Sequence, residues 1–181
     1  MSNGIRRIGL FGAAGILVAA LLIAGFAIGG TIFQVSGKGV LTILIMDKPV
    51  ELLHLNMTID WVKIQGQGEN WHNLTLKSEP EPFYFDLLAL ENVSETLSET
   101  VIPAGNYTMI WMHVLTANAT YTDDTDANLT VPSDVIKVLL KPHLSLEGGG
   151  QVTVLIDLQP DDSIAISQSL NLRPVVKAIV P

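Results

Sequence analysis

The sequence predicts an all-β chain: a β-sandwich-like ectodomain with Greek-key or mixed connections, preceded by one N-terminal transmembrane helix. Three observations carry this expectation. After Gly39 the chain is a series of short apolar or alternating runs separated by Gly, Pro, Asn and Asp, which is the pattern of strands and tight turns. No long amphipathic helical pattern occurs there. Before it, residues 8–33 contain no charged side chain.

Those 26 residues would rise about 39 Å as a helix, enough to cross a hydrocarbon core with some tilt. Arg6 and Arg7 precede the run and no acidic residue occurs before Asp47, so the short segment 1–7 is expected in the cytoplasm. A retained signal-anchor at 8–33, a linker at 34–38 and an extracellular domain at 39–181 come next. Cleavage near Ala24 or Ala27 is the alternative, and would make the domain secreted. A cleaved signal peptide usually has a shorter apolar core. Gly9 with Ala13, and Gly25 with Gly29, have the small-residue spacing that lets membrane helices approach.

In the domain, residues 40–46 read as a buried first strand, stopped at Asp47-Lys48-Pro49. Residues 56–64 form a second, with Ile59 and Trp61 expected on one face. Gly66-Gln67-Gly68 makes a turn, and 71–76 continues the sheet. Pro80 and Pro82 bracket a loop before Phe83-Tyr84-Phe85-Asp86-Leu87. Residues 96–102 run into the Pro103-Ala104-Gly105-Asn106 turn. Residues 107–115 alternate with large apolar groups on both faces, which predicts a central strand. Residues 116–128 are polar and acidic and read as an exposed loop or short hairpin. Strands are expected at 135–140 and 151–158, with a shorter apolar piece at 144–146 and a last run at 172–180 that Pro174 interrupts.

All 18 acidic residues lie after the apolar run, with eight of the ten basic ones, so the ectodomain has a formal charge of −10. That argues against nucleic acid, whose phosphates need a basic face. There is no cysteine, which removes disulfides, thiol catalysis, Cys-ligated zinc and iron–sulfur clusters.

Six of the nine asparagines stand in Asn-x-Ser/Thr sequons: Asn56, Asn73, Asn92, Asn106, Asn118 and Asn128. Chance would place one or two there. The excess points to an exported chain that carries glycans, and most of these asparagines are expected on loops or outward strand faces.

Several blocks, in order, resemble an uncharacterised family of exported archaeal and bacterial domains, domain of unknown function 4382. They are the strand from Gly39 into Asp47-Lys48-Pro49-Val50, then Phe85-Asp86-Leu87-Leu88-Ala89-Leu90, then Ile102-Pro103-Ala104-Gly105-Asn106-Tyr107-Thr108. Val131-Pro132-Ser133 with Ile136-Lys137, residues 150–160, and Leu172-Arg173-Pro174-Val175-Val176 complete the set. The resemblance covers nearly all of residues 39–177. It implies a secreted all-β domain, often attached to a membrane or lipid, and supplies no catalytic residues.

Chemistry-bearing motifs are sparse. His54, His72, His113 and His143 form no compact ligand pattern, and structural roles are expected for them. Asp47, Asp86 and Asp157 fall at strand ends, where carboxylates cap loop N–H groups or, alternatively, share a cation. Asp123-Asp124-x-Asp126 has oxygen-ligand chemistry but lacks the remainder of a calcium-binding loop. No cofactor is expected, calcium being the alternative. No nucleophile elbow or phosphate-binding loop occurs. Trp61, Trp71 and Trp111 lie in strand patterns that favour core packing; exposed, they would make a carbohydrate platform.

The reading that fits these features is a non-enzymatic, membrane-anchored and N-glycosylated cell-envelope protein. It would act as a structural or accessory interaction subunit, in contact with membrane lipid and with envelope proteins or copies of itself. The alternatives are a filament subunit that adds a strand to a neighbour, and a carbohydrate- or solute-binding module.

Overall fold

The computed structural model describes residues 37–47, 51–160 and 170–180. The expected membrane segment at 8–33 lies outside them. No helix among the described residues is long and apolar enough to cross a membrane.

The described residues are all-β, with ten strands in two sheets. The smaller sheet has the order β10 (Val175–Ile179), β9 (Gln151–Gln159), β1 (Lys38–Asp47), β5 (Glu95–Pro103). Here β1 runs parallel to β9 and antiparallel to β5. A parallel neighbour cannot be reached by a hairpin, and the chain between β1 and β9 builds the whole of the second sheet on its way.

At the centre of that larger sheet are two long antiparallel strands, β2 (His54–Gly66) and β6 (Gly105–Thr120). β3 (Trp71–Leu74) and β4 (Phe83–Asp86) divide the free side of β2. β7 (Asp126–Asn128) and β8 (Val135–Leu146) divide that of β6. The expectation of a central strand at 107–115 therefore holds. Of the exposed loop or short hairpin expected at 116–128, the hairpin is what forms: β6 continues to Thr120 and β7 returns antiparallel beside it. Ala117 and Ala119 supply a buried alternation too small to stand out among polar neighbours. The two pieces expected at 135–140 and 144–146 are one strand. Pro142 is tolerated because it falls where the β6–β8 register shifts, among residues 140–143 that have no ladder partner, so no ladder N–H is lost.

Alternation sends one face of each sheet inward. Leu41, Ile43 and Ile45 of β1 and Val154, Ile156 and Leu158 of β9 are buried in one apolar cluster with Met57, Val62, Ile110, Met112, Ile136 and Val138 of the larger sheet. Bulges interrupt the period, and two of them set the facing of the central strands of the larger sheet. In β2, Leu55, Met57 and Ile59 point inward, and then Val62 and Ile64 do, with the register shifting between Ile59 and Trp61. In β6 the register shifts between Tyr107 and Met109, so Tyr107 and Ile110 are both buried. An extra residue in a strand reverses the facing of every side chain beyond it. Trp61 is thereby turned away from Ile59, against the expectation that they share a face.

Candidate functional site on the outer face of the larger sheet

The bulge in β2 places Trp61, Lys63 and Gln65 on the solvent side, and the bulge in β6 does the same for Met109, Trp111 and His113. Register then brings them together. Trp61 lies opposite His113, Lys63 opposite both Asn73 and Trp111, Trp111 opposite Lys137, and Gln65 opposite Trp71. The indole of Trp71 reaches that of Trp111 with ring centroids 4.6 Å apart. Trp61 stacks on His113 at 5.0 Å, nearly parallel. Lys63 Nζ stands 4.5 Å from the Trp61 centroid and Lys137 Nζ 4.7 Å from that of Trp111. His113 Nδ1 and Asp60 Oδ1 are 2.5 Å apart, which fixes the imidazole against Trp61.

This corrects the expectation of core packing for the three tryptophans. None belongs to the buried cluster; Trp61 and Trp111 are half-buried and Trp71 is 36% exposed. For Trp61 and Trp111 the physical reason is the bulges, which no composition or period reveals; Trp71 faces outward by plain alternation with buried Leu74.

Trp71 also borders a cleft of about 410 Å³ at the end of the sheet, where the turn after β2 faces the turn before β6. Gln67, Asn70, His72, Asn106 and Tyr107 line it with Trp71. His72 sits edge-on to Tyr107 at 5.9 Å. Tyr107 donates its hydroxyl proton to the carbonyl of Pro103 at 2.5 Å, and burial pushes its phenol above the usual value. The cleft therefore offers two side-chain amides besides Asn106, an imidazole and aromatic edges beside an indole.

Four of the sequon asparagines share this outer face. Asn56, Asn118 and Asn128 form one cross-strand row over β2, β6 and β7, and Asn73 lies in the row of Lys63 and Trp111. Asn106 is exposed at the start of β6. Asn92 is exposed in a turn, with φ of 58°. Asn73, Asn92, Asn106 and Asn128 are exposed, while Asn56 and Asn118 are half-buried. The Asn56 amide oxygen is further engaged by the Tyr84 hydroxyl at 2.7 Å.

A family description, domain of unknown function (DUF4382), matches residues 38–174. The chain belongs to the DUF4382 family. No curated protein matches it.

In this DUF4382 domain the acids singled out in the sequence do not converge. No three His, Asp or Glu side chains among the described residues are grouped to hold a metal ion. Asp86 accepts from the backbone N–H of Leu55 and Leu88 at 3.1 Å each and from His54 Nδ1 at 2.7 Å, the loop-capping role expected of it. Asp47 is buried at the end of β1. Asp157 accepts from Gln159 at 2.6 Å. Asp123 accepts from the backbone and hydroxyl of Thr125 at 3.1 and 2.6 Å, which hold its carboxyl below the usual range. His143 is exposed on β8.

Sequence patterns did not single out Lys63, Lys137, Gln67 or Asn70. For Lys63 a signal was present, because Trp61-Val62-Lys63 puts a cation and an indole on one face of any strand. Lys137 had none, since its place beside Trp111 depends on the β6–β8 register.

Proposed function

We propose that this DUF4382 protein is a membrane-anchored, N-glycosylated envelope protein that works by binding, and that the aromatic outer face of its larger sheet takes carbohydrate. One observation carries the reading: three tryptophans face solvent on one sheet although an apolar core lies on the other side of it. Indole burial is among the largest apolar gains open to a chain. Trp71 and the amide-lined cleft beside it have the chemistry that sugars call for, an apolar surface for the C–H face and amides for the hydroxyls. The two sheets, sharing one core, are read as a β-sandwich with mixed connections. The Tyr107 to Pro103 bond across the β5–β6 turn is like the tyrosine corner of such folds. The segment 8–33 supports anchorage with the domain outside, and no catalytic role is assigned to any residue.

The test is binding of the full-length chain, purified in detergent, to a panel of immobilised glycans. Trp71→Ala and Trp111→Ala are expected to lower the affinity for the glycans bound by about tenfold or more, a loss of about 1.4 kcal/mol. A chain that binds none of the panel, or variants that bind as the parent does, would sink the carbohydrate reading.

A second reading, an accessory or structural subunit, is favoured by the opposite side of the molecule. The outer face of the smaller sheet carries Val40, Leu44, Met46, Leu155, Val175 and Ile179, with Val175 61% and Ile179 50% exposed. No sequon asparagine lies on β1, β5, β9 or β10. A stoichiometric protein partner retained through purification from membranes, and lost on Ile179→Asp, would support it.

A further inference from the structure

We infer that the aromatic face selects acidic glycans, reading their carboxylate or sulfate groups with Lys63 and Lys137; this rests on the carbohydrate reading above. The ectodomain carries only eight basic residues against 18 acidic ones, yet two of the eight stand in one cross-strand row, Asn73–Lys63–Trp111–Lys137. Neither pairs with a carboxylate: the two ion pairs among the described residues both join a histidine to an aspartate. The face's own nearby acid, Asp60, is taken by His113.

Each ammonium is held over an indole instead. A ring face attracts the charge but accepts none of the three N–H donors through a lone pair, so those donors remain for a ligand. The indole also restricts two long, flexible side chains in advance, which lowers the ordering cost when an anion arrives. Lys63 and Lys137 are two strand spacings apart, roughly 10 Å between backbones, so they suit anionic groups on different sugars of one chain lying over Trp111. The ectodomain's formal charge of −10 repels polyanions from the remainder of its surface. Binding of one must therefore come from a local site.

The experiment compares three oligosaccharides with a common backbone: dextran, carboxymethyl-dextran and dextran sulfate. The full-length chain is used in an Asn73→Gln background, which removes any glycan from the same row. An acidic derivative is expected to bind about tenfold or more tighter than dextran, with an affinity that falls as salt rises. Lys63→Gln and Lys137→Gln should each remove about tenfold of that preference, as the loss of a charged hydrogen bond does. Lys137→Arg should keep it, which separates charge from loss of fold. Equal affinity for the three ligands, no binding of either acidic one, or an acidic preference that survives in the Lys63→Gln/Lys137→Gln double variant would overturn the inference. The glycan panel, measured separately, reports whether the carbohydrate reading falls with it.

Discussion

Tyr107 shows how much one side chain does at the end of this domain. Its ring is buried under the β5–β6 turn, its hydroxyl ties that turn to β6, and its edge forms a wall of the cleft. Tyr107→Phe keeps the ring and removes the bond to Pro103, so a loss of about 1 kcal/mol in denaturant unfolding is expected. The pH dependence has a definite sign. Burial raises the folded-state pKa of the phenol above its ordinary value of 10.0. The unfolded chain then gives up this proton first as pH rises. The stability is fully present below pH 10 and declines from there upward through the folded pKa. Tyr107→Phe should lack that part of the alkaline loss; parallel stability curves for parent and variant above pH 10 would refute the assignment. That Tyr107 leads a central strand was legible in the sequence. That its hydroxyl reaches back to Pro103 was not, because the bond depends on how the turn folds.

Among the elements, β1 is closely hemmed in. It is bordered on both sides, and its first residues pass under the β8–β9 connection. A Cβ on Gly39 would stand 2.8 Å from the carbonyl oxygens of Glu147 and Gly150 and 2.6 Å from Leu146. The obstacles include backbone, so the connection would have to move. Gly39→Ala should cost about 1–3 kcal/mol, read as a lower denaturation midpoint with unchanged slope; a midpoint equal to the parent's would show that the turn yields freely. The strands themselves were legible, because alternation of apolar groups marks them wherever the side chains are large. The parallel partnership of β1 with β9 was not, since the two are separated by most of the domain. The bulges were equally hidden, and they decide the site: one extra residue in β2 and one in β6 reverse the facing of Trp61 and Trp111.

On the scale of the whole molecule the two outer faces differ in kind. One carries tryptophans, lysines and four sequon asparagines, the other an apolar surface without sequons. Site-resolved mass spectrometry of the native protein is expected to find at least half of the six sequons occupied. Asn73 and Asn128 should exceed Asn56, whose amide is half-buried and bonded to Tyr84. An intact mass equal to the bare polypeptide would refute this. Anchorage predicts that the chain stays with membranes through alkaline carbonate washing and that removal of residues 1–33 releases it; a parent chain freed by the same wash would contradict the anchor. By itself the sequence determined the all-β class, most strand positions, the family and the acidic character, because each is written in local composition and period. Only the tertiary structure decided which residues share a face, because facing is set by bulges and cross-strand register. Those bring Lys63, Trp111 and Lys137 into one row from three strands distant in sequence.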